Sequence, residues 1–130
     1  MEVEDRTRRG EDLIGRMLGE QRADETREAW RKISPEFEAY VVEFLAGEIW
    51  SRPHLDLRTR SLVTIATLAG LGRPLALELN IRMAIRNGAT RQDITETLLQ
   101  IAPYAGFPAV WDALAMADRV YREEDGAADE

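Results

Sequence analysis

The chain carries one imidazole and no thiol, which narrows its chemistry at once. His54 is the only side chain whose ordinary pKa lies near neutrality. It follows Arg52-Pro53 in a segment that reads as a connector, and loops on a rigid scaffold commonly carry functional groups. An exposed loop histidine with no role is the plainer alternative. Zero cysteine removes thiolate catalysis, Cys-ligated zinc, iron–sulfur clusters and dithiol redox cycling. A single histidine rules out a multi-histidine metal centre, so no metal site is expected. Tyr104 could donate to an oxyanion or protonate carbon, or else be a core tyrosine whose hydroxyl meets a backbone carbonyl. Arg60 and Arg52 suit bidentate binding of a carboxylate, although Glu48 and Asp56 serve as well for structural ion pairs. Trp50 and Phe107 offer apolar pocket walls or plain packing. Glu43 and Glu48 are five residues apart, a spacing that aligns poorly on a helix for paired acid–base work.

These groups must be held by helices, because period-2 alternation is nearly absent and helical spacing is common. Leu13, Ile14, Met17 and Leu18 form one stripe on a first helix from about Arg8. A charged stretch from about Ala23 to Lys32 makes a second, weaker one. Ser34 and Pro35 open a third as N-cap and first helical residue, with Phe37, Tyr40, Val41, Phe44 and Leu45 following and Gly47 near its end. Asp56 caps the next helix, which is apolar around most of its circumference after Ser61 and stops at Gly70-Leu71-Gly72. Those glycines close a helix instead of opening one, so no phosphate-binding loop is expected. Pro74 opens a helix that ends at Asn87-Gly88, and Thr90 caps another running through Ile101. The run from Pro103 to Pro108 breaks the pattern before a last helix through Val120. The expectation is one all-α domain, a compact antiparallel arrangement of six or seven helices over residues 1–130. Its ordered core runs from about 8 to 121, with a frayed N-terminus and a frayed acidic tail over 122–130.

The charge balance, 17 basic against 24 acidic residues for a net −7, argues against nucleic-acid or membrane-surface partners. The N-terminal MEVEDRTRRG has no apolar core of a secretion signal, and no apolar run is long enough to span a bilayer, so a cytoplasmic location is expected. Too many helices are apolar on wide faces for one small bundle to cover. An obligate homo-oligomer is therefore expected, with a compact monomer of generous core as the alternative.

The run Ile49-Trp50-Ser51-Arg52-Pro53-His54-Leu55-Asp56-Leu57-Arg58-Thr59-Arg60-Ser61-Leu62-Val63-Thr64 resembles the signature opening of the carboxymuconolactone decarboxylase family, within the alkylhydroperoxidase-like superfamily. Arg86-Asn87-Gly88-Ala89-Thr90, Glu96 to Gln100 and Tyr104 to Pro108 resemble its later blocks in the same order. Arg9-Gly10 through Leu18-Gly19 resembles its lead-in, so the likeness covers roughly residues 6–121. The resemblance implies an all-α fold, a homo-oligomer (hexamer or trimer), and an active site enclosed near subunit contacts. It also implies decarboxylation of 4-carboxymuconolactone to an enol-lactone in aromatic catabolism, with a small anionic substrate and no cofactor.

Two departures qualify that implication. The superfamily's peroxidase branch uses a Cys-x-x-Cys-x-x-x-His relay, and the matching positions here are Arg73, Ala76 and Asn80, so dithiol peroxide reduction is excluded. Decarboxylase members carry a Glu followed four residues later by a His, one helical turn apart and able to share a proton. Here those positions hold Ala76 and Asn80, and Asn80 can donate a hydrogen bond but cannot shuttle a proton. His54 stands where the family usually has a small residue, so His54 is a candidate replacement acid or base. The candidate catalytic set is then His54, Tyr104 and Asn80, and the substrate-binding set Arg60, Arg52, Trp50 and Phe107. Arg82, two residues past Asn80, points elsewhere on an ideal helix. Three readings follow: a cofactor-independent lyase; a tailoring enzyme of a secondary-metabolite pathway (isomerase, cyclase or decarboxylase); and a non-catalytic oligomer that binds a small molecule.

Overall fold

A computed structural model describes the backbone of residues 2–129 and side chains as far as Gly126. Within them the chain is helical almost throughout, with no strand: α1 (Val3–Leu18), α2 (Glu20–Ile33), α3 (Pro35–Tyr40), a π-helical segment (Val41–Ile49), α4 (Leu57–Leu71), α5 (Pro74–Arg86), α6 (Arg91–Ala105) and α7 (Phe107–Asp129). The contacts resolve into two compact units, Met1–Asp56 and Leu57–Glu130.

In the first unit α1 lies against the π segment at backbone distance. A Cβ on Gly10 would fall 1.8 Å from the Val42 carbonyl oxygen, and one on Gly47 would fall 2.3 Å from that of Arg6. Only glycine admits this approach. Arg9 completes it, donating from Nε and Nη2 to the Gly47 carbonyl at 2.8 and 2.6 Å. Gly47 therefore does not end a helix: the wider turn carries on to Ile49, and the Trp50 amide reaches back five residues to Leu45. Ser34 caps α3 by accepting from the Phe37 amide at 3.1 Å, with Pro35 at the first helical position, as the local signals require. Buried Glu38 joins α3 to α2, accepting from Arg27 at 3.0 Å and Arg31 at 3.2 Å. Trp30 meets Phe37 edge to face at 6.1 Å.

The second unit is built on apolar burial. Ile65 and Ala69 of α4, Leu77, Ile81 and Ala84 of α5, Ile94, Leu98 and Ala102 of α6, and Val110, Ala113, Ala117 and Val120 of α7 form one core at helical spacing. Thr90 caps α6 in a full capping box with Asp93, whose carboxylate also takes a two-pronged hydrogen bond from Arg58 at 2.9 and 2.7 Å. Arg58, then the Thr90 amide, hold that carboxyl far below the usual carboxylate range. Buried Ser61 accepts from Asn87 at 2.9 Å, tying α4 to the end of α5.

Three expectations change. Pro103 does not break α6, which continues to Ala105 and stops where Gly106 takes φ +102°. The run from Arg122 is helical over its described residues. It continues α7 to Asp129, and arginines on α5 and α6 hold its carboxylates. At the other end α1 already begins at Val3; Met1 and Glu130 lie outside the described residues. Helix α4 is covered on one side: Ile65 and Ala69 are buried, whereas Val63 and Leu71 stay exposed.

Candidate functional site

The candidate residues divide between the two units. Trp50, Arg52 and His54 belong to the first, at the end of the π segment and in the turn that follows it. Trp50 is 7% exposed, while Arg52 and His54 are open to solvent. Ser51 closes the segment by donating from Oγ to the Ala46 carbonyl at 2.7 Å. The connector thus has a rigid base and an exposed imidazole.

In the second unit, Pro74 opens α5 and the helix buries Leu77, Ile81 and Ala84 on one side. Ala76 and Asn80 stack one turn apart, and Asn80 Nδ2 donates to the Ala76 carbonyl at 2.9 Å. The amide is therefore partly engaged by its own helix, and its Oδ1 remains an acceptor. Arg60 lies half-buried on the first turns of α4. Tyr104 and Phe107 flank Gly106 and are 84% and 70% exposed. Neither is a core residue of this unit. Trp111, one turn beyond Phe107 and 75% exposed, extends this apolar surface. The four-residue spacing from Phe107 was visible in the sequence, but its orientation away from the core was not.

Arg82 points away from Asn80 and finds other partners. Its side chain is 8% exposed and surrounded by carboxylates: Glu124 at 2.8 Å, Glu78 at 3.3 Å, and Glu123. Burial pushes the guanidinium down, but the hydrogen bonds it donates to Glu123, Glu124 and Glu78 outweigh it and hold the group above its ordinary value. Arg119 bridges to Glu78 at 3.2 Å. Only the Glu78–Arg82 spacing of four hinted at this cluster; the other partners are about forty residues away.

Among the described residues no group of three His, Asp or Glu side chains converges as metal ligands. No described helix is long and apolar enough to cross a membrane.

Comparison with known proteins adds a second kind of observation. The sequence model of the carboxymuconolactone decarboxylase family matches residues 35–119, from the start of α3 into α7. The 4-carboxymuconolactone decarboxylase of Acinetobacter baylyi is 37% identical over 123 residues, covering 95% of this chain and 92% of the relative. An uncharacterized 15.0 kDa protein of Paracoccus denitrificans, from an nqo9–nqo10 intergenic region, is 37% identical over 99 residues, 75% of this chain and 74% of its own. The nitrosuccinic acid decarboxylase of Metarhizium robertsii is 35% identical over 83 residues, 64% of this chain and 58% of its own.

Proposed function

Because the chain belongs to the carboxymuconolactone decarboxylase family, we propose that it is a cofactor-independent lyase that removes carbon dioxide from a small anionic lactone or related carboxylic acid. The observation that carries this reading is the 37% identity, over 95% of the chain, to a protein named for that reaction. The likeness to a nitrosuccinic acid decarboxylase supports the reaction class while pointing to a different acid.

Loss of carbon dioxide leaves an electron pair on carbon. The site must hold the carboxylate away from water, stabilise the enolate oxygen, and return a proton to carbon. In this reading Arg60 holds the substrate carboxylate, with Arg52 the alternative, and exposed Phe107 offers the apolar wall. Asn80 donates a hydrogen bond to the developing oxyanion, an interaction worth about 3 kcal/mol where well placed. Tyr104 of the second unit is one candidate proton donor and His54 of the first the other, a positioned acid being worth typically about 10²–10⁴-fold in rate. The exposed apolar side chains, Leu75, Tyr104, Phe107 and Trp111 among them, support burial against further copies of the chain as a trimer or hexamer.

A second reading rests on one observation. Where the family resemblance implies a proton-sharing pair, Ala76 and Asn80 offer no group that ionises near neutral pH. The same scaffold would then serve a tailoring reaction on another acid in a secondary-metabolite pathway.

The test is a decarboxylation assay on purified protein with enzymatically generated 4-carboxymuconolactone and, in parallel, nitrosuccinic acid, following product by mass. Turnover of the lactone supports the first reading, and turnover of the nitro acid alone supports the second. Neither, from a folded sample, leaves a binding protein and rejects both. With an accepted substrate, His54→Ala is expected to lower kcat at least tenfold. Unchanged kcat would remove His54 from the site.

A further inference from the structure

Helix α7 is anchored in two different ways along its length. Up to Val120 it is held by apolar burial: Val110, Ala113, Ala117 and Val120 lie in the core at helical spacing. Beyond Tyr121 no described residue is a buried apolar one, and the attachments are charged. Glu123 and Glu124 meet Arg82 of α5, and Glu124 does so at 2.8 Å. Asp125 meets Arg91 of α6 at 2.5 Å. Arg91 also lies over the Tyr121 ring at 4.6 Å, so one guanidinium serves both the ring and the carboxylate.

The closed arrangement carries a cost at the point where the two kinds of anchor meet. The Tyr121 hydroxyl is buried and has no hydrogen-bond partner among the described residues. A buried hydroxyl left unpaired is worth water if the covering segment moves. The side chains that tie this segment down are themselves half exposed: Glu123, Glu124, Asp125 and Arg91 show between 39% and 61% of their side-chain surface. Their attraction is therefore open to screening.

We propose that Arg122–Asp125 form a charge-held latch, which opens locally from Arg82 and Arg91 while the apolar part of α7 stays seated. Opening hydrates Tyr121 and bares the guanidinium of Arg82 on α5, the helix that also carries Asn80. The acidic C-terminal turns thus act as a conformational device and not as a solvated tail. This inference stands apart from the reaction proposed above and does not depend on it.

Backbone hydrogen exchange on the full chain tests it. In Glu123→Gln/Glu124→Gln, amides of 122–126 are expected to exchange about tenfold faster or more, with those of 110–120 and 94–102 unchanged. Unchanged exchange at 122–126, or acceleration spread through all of α7, overturns the latch. If the double variant does not fold, the natural chain is taken from low salt to about 1 M sodium chloride. Acceleration confined to 122–126 supports the latch, and a uniform or absent response rejects it. Phenol ionisation gives an independent readout. Burial, partly offset by Arg91, raises the Tyr121 hydroxyl above its ordinary pKa. In the double variant the Tyr121 hydroxyl should titrate lower than in the natural chain, whereas an unmoved titration counts against opening.

Discussion

The two units reach stability by different routes. In Met1–Asp56 the closest association is between backbones, at the Gly10–Gly47 crossing, beside a small set of buried apolar side chains (Ile14, Met17, Val42, Trp50) and several charged ties: Arg9 on a carbonyl, Arg27 and Arg31 on Glu38, Arg6 on Glu43. In Leu57–Glu130 a continuous apolar core lies between four helices, and charges are used at the helix ends, as with Arg58 on Asp93. The first arrangement tolerates almost no added volume at one point. The second is sensitive wherever a large side chain is fully buried. The chain thus contains one unit with a backbone crossing that only glycines allow, and one that rests on a continuous core of fully buried leucine, isoleucine and valine.

The largest expected effect tests the apolar side. Leu98→Ala removes a fully buried side chain from α6 and should cost roughly 2–5 kcal/mol, read by urea unfolding. A loss below about 1 kcal/mol would mean that the second unit's core collapses around the gap and would weaken the contrast. Gly10→Ala comes next and sharpens the other side. In an ordinary helix interior this change stabilises by roughly 0.5–1 kcal/mol. Here the new methyl meets the Val42 carbonyl, so destabilisation of about 1–3 kcal/mol is expected, with faster amide exchange in α1 and the π segment. A neutral or stabilising result would mean that α1 slides freely and that the crossing is not constrained.

Smaller effects address the charged and capping groups. Thr90→Ala removes the α6 cap and should cost about 1 kcal/mol in the same unfolding assay. Asp93 predicts the pH dependence. Its folded pKa lies below the unfolded 3.8, so its contribution is fully present above about pH 4 and is lost as pH falls toward the folded value. Arg58→Gln removes the main cause of that depression and should flatten the acid limb of stability below about pH 4. An unchanged acid limb would show that Arg58 and Asp93 do not act as a pair in solution.

Much of this architecture was legible in the residues. Ser34-Pro35, Thr90 with Asp93, Gly72 and Asn87-Gly88 mark helix ends because caps and left-handed turns are decided within about four residues. The blocks around Trp50–Thr64 and Tyr104–Pro108 were enough to indicate the family. The candidate site was less legible. Tyr104 reads as a proton or hydrogen-bond donor or as a core tyrosine, and Phe107 as a pocket wall or plain packing, because periodicity states that a face is apolar but not what covers it. Pro103 was read as a stop, yet packing of Ala102 on one side and the Gly106 turn beyond keep α6 helical to Ala105.

The residue order by itself determined the helical class, most helix starts and stops, and the absence of thiol chemistry. Those properties are either compositional or set by neighbours along the chain. Only the tertiary structure decided that Gly47 lies inside a π-helical turn against Gly10, that Trp50 is buried while His54 is not, and that Arg82 is neutralised by the end of α7. Each of these depends on which groups meet across tens of residues. The free energy of such a meeting comes from burial and charge in three dimensions, which no local spacing encodes.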